Sequence, residues 1–253
     1  MLTALVPTSL LGGLVFLVAF LYASVGFGGG SGYLAVLSLY DIPAEITAST
    51  ALSLNVVVAG VALINFSRLG HLEPRLLWPF VVTSIPFAFL GGLIPLRQDT
   101  YRVLLNVVLS VVALRLLFSR SNEAAGHLTR FPSWPLALFT GALLGLLSGM
   151  LGVGGGIFLS PVILLSGWGT PQKAAASSAG FILLNSISGL LGRAASGTLQ
   201  FGQYGGLLLF LGILGGLAGS FVGARYFSGA VIRRLLGMLL LVAVARSLLA
   251  WLG

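Results

Sequence analysis

The chain has 253 residues, of which 57% are hydrophobic and 7% charged, with a mean hydropathy of +1.08. A soluble domain carries about 25% charged residues, so this is an integral membrane protein with many spans in a lipid bilayer. The net charge of +8 comes from scattered residues without a run of Lys and Arg, which reads as membrane topology and not as nucleic acid binding. There is no cysteine, which excludes disulfides, thiolate nucleophiles and cysteine metal sites.

In chain order, Met1 to Ala23 has no Lys or Arg and no cleavage motif, so it is expected to stay as the first membrane segment rather than act as a signal peptide. Its helix spans Leu10 to Val25 and is broken by the cluster GFGGGSGY, Gly26 to Tyr33. Glycines this dense weaken a helix. Ser31 to Tyr40 is too short to span alone at about 1.5 Å per residue, which leaves a half-helix or the returning arm of a hairpin. Pro43 suits the first turn of the next helix, to about Phe66. A loop with Arg68, His71, Glu73 and Arg75 follows. The fourth segment covers Leu76 to Ile94, with Pro79 and Pro86 as kink points. The fifth covers Val103 to Phe118.

The order then repeats. GVGGGIFL, Gly152 to Leu159, matches the first glycine cluster, and Pro171 matches Pro43. Ser49 and Thr50 align with Ser177 and Ser178, and Asn55 aligns with Asn185 after a two-residue shift. Gly70 and Leu72 match Gly197 and Leu199; Arg102 and Arg115 match Arg233 and Arg246. The polar stretch Phe118 to Phe131, with Arg120, Asn122, Glu123, His127 and Arg130, is the seam. The reading is a first membrane repeat over 1–118, a connecting loop over 119–133 and a second repeat over 134–253. The expected fold class is an all-α polytopic membrane protein of two homologous helical repeats with about eight to ten membrane segments.

If the first two segments of each half enter and return, each half crosses an odd number of times and the repeats are inverted. Inside loops then hold Arg68, Arg75, Arg120, Arg130, Lys173, Arg225, Arg233 and Arg234, and outside loops hold Arg97, Arg102 and Arg193. That bias satisfies the positive-inside rule and puts the N-terminus outside. Arg115 and Arg246 are expected to snorkel to the interface. If the short segment does not return, the halves are parallel.

The paired GxGGG breaks, each followed by a proline and a small-residue helix, resemble the sulfite exporter TauE/SafE family over about Leu10 to Leu249. The resemblance implies a secondary transporter of the bacterial inner membrane that moves sulfite, sulfoacetate or a related organosulfur anion. No proline in the first half matches Pro161, which would make the two sides of the site unequal.

Physical chemistry points to an anion independently. A helix restarting after glycines presents unpaired N–H groups at its positive end, and glycines let them approach an oxyanion closely. Gly28, Gly29, Gly30 and Ser31 form one such cradle and Gly154, Gly155 and Gly156 the other; the bland alternative is close helix packing. The hydroxyls of Ser49, Thr50, Ser177 and Ser178 either donate to the anion or bond their own helix carbonyls. Asn55 and Asn185 are ligand contacts or interhelical glue, with Ser186 and Ser188 weaker candidates of the same kind. Arg193 closes an apolar helix on the expected outer side, near Arg97, and either steers anions toward the pore or anchors the helix at the interface, the preferred reading. All five acidic residues fall in or beside predicted loops, as do His71 and His127. That speaks against a buried carboxylate relay and favours electrogenic anion movement or proton coupling through the substrate.

An intramembrane hydrolase would need a base near a buried serine, and a metal site would need clustered ligands. Neither pattern occurs, so no enzyme activity and no cofactor are expected. The same cradles suit a carrier's binding site or a channel's filter; saturation and counterflow separate the two. The expected partner is a small-molecule anion, and two lateral faces could support a homodimer.

Overall fold

A computed structural model describes residues 8–24, 26–40, 42–118 and 133–226, together with positions 241 and 245. The connecting loop before Ser133, Asp41, and the segment bearing Arg233, Arg234 and Arg246 lie outside the described residues.

Every regular element among the described residues is an α-helix: α1 (Thr8–Ser24), α2 (Gly30–Ser38), α3 (Ala44–Arg68), α4 (Pro74–Leu93), α5 (Gln98–Phe118), α6 (Trp134–Leu151), α7 (Gly156–Leu165), α8 (Pro171–Ala195) and α9 (Gly205–Tyr226). Of these, α3, α4, α6, α8 and α9 are long and apolar enough to cross a membrane. Exposed Trp78, Phe139, Phe210 and Phe221 give the bundle an apolar outer surface suited to lipid.

The expected boundaries shift in three places. Helix α4 starts at Pro74, where a proline at the first position loses no hydrogen bond. Helix α5 starts at Gln98, whose side-chain Oε1 accepts from the Ala44 N–H and ties the start of α5 to that of α3. The short post-glycine segments are real helices, α2 and α7, of 9 and 10 residues. At about 1.5 Å per residue neither crosses a bilayer.

The largest interfaces join residues from the two sides of the seam. Helix α4 packs on α6 and α8, α1 on α9, and α3 on α8 and α9. Close backbone approach makes the α4–α6 contact possible. A Cβ at Gly141, Gly145 or Gly149 would collide with the carbonyl oxygen of Phe80, Ser84 or Ala88 respectively. This four-residue spacing of small residues is the membrane route to tight helix pairs. Helices α1 and α9 repeat the device, with Gly215 and Gly219 against the Phe16 and Phe20 carbonyls.

Helices α3 and α8 cross the centre side by side and antiparallel. Leu52 meets Gly189, Gly60 meets Leu183, and Leu63 meets Gly180. Helix α9 runs along α3, with Leu54 beside Gly212, Val58 beside Gly216 and Asn65 Nδ2 donating to Ser220 Oγ at 2.7 Å. In the corresponding way α4 runs along α8: Leu77 faces Gly180, and Ser188 Oγ donates to the Ile85 carbonyl at 2.6 Å.

Candidate functional site

Two glycine breaks, between α1 and α2 and between α6 and α7, meet at the centre of the bundle. Their turns depend on left-handed backbone: Gly26 and Gly29 in the first, and Gly152, Gly154 and Gly155 in the second, all have φ between 71° and 95°. An L-residue with a side chain adopts that region only at a cost. A Cβ at Gly30 would collide with the Val153 carbonyl oxygen, so one break sits directly against the other.

Asn55 lies between them. A Cβ at Gly28 would fall 2.8 Å from its Oδ1, and one at Gly30 or Gly154 would fall 2.6 or 2.7 Å from its Nδ2. Nδ2 donates to the Gly152 carbonyl at a long 3.4 Å, and Oδ1 has no partner. The residue is fully buried. A buried amide this poorly satisfied costs free energy unless a ligand or water completes it. Around it, both helix starts are positive; Gly156 N–H donates to the Gly154 carbonyl at 2.9 Å, Phe158 N–H to the Gly155 carbonyl at 3.1 Å and Tyr33 N–H to the Gly29 carbonyl at 2.9 Å, and the remaining first-turn N–H groups of α2 and α7 lack intrahelical acceptors by the geometry of a helix start.

The breaks also pack reciprocally across the seam. A Cβ added at Gly26 would fall 2.6 Å from Ala175 Cβ on α8, and one at Gly152 would fall 2.9 Å from the Ala48 carbonyl oxygen on α3. Ile182 of α8 stands against Gly28, Gly154 and Gly156.

The other predicted residues fall as follows. Ser31 is buried, and its Oγ shares a 2.8 Å hydrogen bond with Tyr22 OH. Gly29 sits over the Tyr33 ring. Gly155 faces Phe181 and the Leu144 carbonyl, and Gly156 faces the Ser178 carbonyl. Thr50 is buried in α3. Ser49 does not bond its own helix through Oγ; that oxygen accepts the Gln200 N–H at 3.3 Å. Ser177 and Ser178 hydroxyls are buried without partners, as are both polar atoms of Asn185 and the hydroxyl of Ser186. Asn185 lies about a turn beyond Ile182 on α8.

Arg193 differs from the expected interfacial anchor: it is 5% exposed. Its Nη2 donates to the carbonyls of Met150 at 2.8 Å and Gly149 at 3.4 Å, while its Nε is buried without a partner. Tyr101 OH donates to the next carbonyl, Leu151, at 3.2 Å. The last carbonyls of α6, the negative end of that helix, are therefore held just ahead of the second break. Arg193 and Tyr101 also line a small recess with Ala44, Glu45, Met150 and Thr198. Glu45 is in the first turn of α3 and half-buried, less solvated than a loop carboxylate. Tyr22 and Ile182 escaped the sequence reading because nothing in an apolar run marks one aromatic or aliphatic residue over another.

The family model described as Sulfite exporter TauE/SafE matches residues 11–247. A probable membrane transporter protein, y4hK, of Sinorhizobium fredii is 35% identical over 230 residues, covering 90% of this chain and 93% of that protein. The probable membrane transporter protein ORF9 of a Sinorhizobium species is 26% identical over 246 residues, 91% of each chain. The probable membrane transporter protein MJ0441 of Methanocaldococcus jannaschii is 23% identical over 196 residues, 73% of each chain. No solved structure matches. The chain belongs to the TauE/SafE family of membrane transporters.

Proposed function

We propose that this TauE/SafE transporter moves a small sulfur oxyanion or organosulfonate, such as sulfite or sulfoacetate, across the bacterial inner membrane by alternating access. The anion binds where the two glycine breaks meet. The observation that carries this reading is the under-satisfied Asn55 amide, buried between the breaks and touching glycines of both. Its Nδ2 and the N–H groups of two helix starts supply donors for a tetrahedral or pyramidal oxyanion without a fixed counter-charge. Binding at the junction of two broken helices is the usual transporter solution.

An inverted repeat is favoured by the antiparallel α3–α8 pair and by the reciprocal contacts of each break with the helix across the seam. Rocking one half against the other would then expose the same site to either side.

Purified protein on a supported membrane, challenged with sulfite, thiosulfate, sulfate, sulfoacetate, taurine, isethionate, acetate and chloride, tests this. A saturable current for a sulfur anion, lost in Gly155→Leu while the variant still inserts, is expected. A current that never saturates would mean a channel. No flux of any sulfur anion, by current or by labelled uptake into vesicles, would overturn the substrate assignment.

A further inference from the structure

The centre is closed to both faces of the bundle: the glycines of both breaks and Asn55 are buried. Passage through it requires that something move at each face. Phe66 on α3 and Arg193 on α8 hold the same place in the repeat. Each is third from the end of a 25-residue helix, and the spacing between them is that of Gly70 to Gly197 and of Leu72 to Leu199. Because α3 and α8 run antiparallel, the two side chains lie toward opposite faces. Each leans on the break of its own half. Phe66 Cε2 is 3.1 Å from the position a Gly26 Cβ would take, and its ring is buried among Ala62, Ala175 and Ala179. Arg193 Nη2 donates to the Met150 and Gly149 carbonyls just ahead of Gly152, and Tyr101 OH donates to Leu151 beside them.

We infer that Phe66 and Arg193 are the two gates of the transport cycle: Phe66 shuts the break at Gly26 from one face, and Arg193, with Tyr101, shuts the break at Gly152 from the other. The inference rests on the alternating-access reading above. The plugs differ in chemistry but share the property a gate needs, a closed state that can be left. Phe66 is held by apolar contact with small side chains and has no directional bond to break. Arg193 meets only neutral carbonyls, through one nitrogen, and its Nε has no partner. A guanidinium buried this way forfeits much of its hydration, so swinging its head toward water regains what the lost carbonyl bonds cost. Beyond it lies a recess of about 10 Å³ lined by Glu45, Pro95 and Thr198, residues of the helix starts and loops at that face. That is room for about one water molecule, as expected of a vestibule shut at its base.

The chain has no cysteine, so Ala59→Cys, buried beside Gly28, makes a single central reporter. Its labelling by a membrane-impermeant maleimide is timed in right-side-out and in inside-out vesicles. Phe66→Ala speeds labelling from one face only, and Arg193→Ala from the opposite face only. The gain is about fivefold or more, the shift one lost buried contact makes in a two-state equilibrium. Should Arg193→Ala fail to reach the membrane, Tyr101→Phe decides, with faster labelling expected from the face opposite to that opened by Phe66→Ala. Faster labelling from both faces in each variant is what a merely loosened bundle gives, and it overturns the gates; so does an unchanged rate in all of them. No substrate is added, so the two readings fail separately. One-sided labelling in a protein that carries no sulfur anion would strike the substrate assignment and keep the gates.

Discussion

Asn55 on α3 and Ile182 on α8 touch the same two glycines. From the Cβ position at Gly28, Asn55 Oδ1 and Ile182 Cγ2 are both 2.8 Å away; from that at Gly154, Asn55 Nδ2 is 2.7 Å and Ile182 Cγ2 3.0 Å away. The two side chains are counterparts around the meeting point of the breaks, one polar and one apolar. The Asn55 amide thus meets glycines of both cradles, with the Ile182 methyl groups beside the same two glycines.

Asn55→Leu keeps the branching and heavy-atom count of the side chain and removes the amide. Loss of a hydrogen bond to a charged ligand is worth about 1.5–3 kcal/mol, so apparent anion affinity should fall at least about tenfold while membrane abundance holds. Supported-membrane currents check this. Wild-type kinetics in Asn55→Leu would leave Asn55 as interhelical glue.

Gly30→Ala should damage the protein more than Gly70→Ala. The first places a methyl group on the Val153 carbonyl and the Asn55 amide, where neither side can give way; overpacking of this kind costs about 1–3 kcal/mol. Gly70 has φ +75° but open space around it, so its cost is backbone strain alone. The apparent Tm in detergent should fall further for Gly30→Ala, and only that variant should lose transport. Equal shifts would mean that the breaks are not tightly apposed.

Gly149→Val on α6 should abolish accumulation of folded protein, because its Cβ would sit on the Ala88 carbonyl of α4. Gly206→Ala on α9 meets nothing within 4 Å and should be neutral or raise stability by up to about 1 kcal/mol through helix propensity. Fluorescence-detected size-exclusion profiles distinguish the two. A monodisperse Gly149→Val peak at wild-type yield would contradict the α4–α6 packing.

Lys173 Nζ and Glu73 Oε2 form an ion pair at 3.2 Å, with side chains 25% and 32% exposed. Pairs this solvated contribute roughly 0–1 kcal/mol. Lys173→Met, Glu73→Gln and the double variant should give a small coupling energy that shrinks as salt rises. A coupling well above 1 kcal/mol, unaffected by salt, would mean that the pair is shielded within the membrane assembly.

The sequence by itself determined the membrane class, the doubled glycine breaks and the beginnings of α3 beside Pro43 and of α8 at Pro171, because each depends on local chemistry: apolar runs, absent Cβ atoms and a fixed φ. The glycines of both breaks, Gly28, Gly30 and Gly154 among them, were legible as break positions for that reason. Only the tertiary structure decided which side chains face the breaks. Ile182 stands against Gly28 and Gly154 although no repeat or motif marks it, and Arg193, expected as an interfacial anchor, is a buried cation of α8 held against the last turn of α6. A helix surrounded by lipid and by other apolar helices has no polar face to reveal its rotation. Its phase is set by where glycines on the neighbouring helix let the backbones touch, as Gly92 does for the backbone of α8 at Gly189 and Arg193, and that is a property of two helices brought together, not of either one alone.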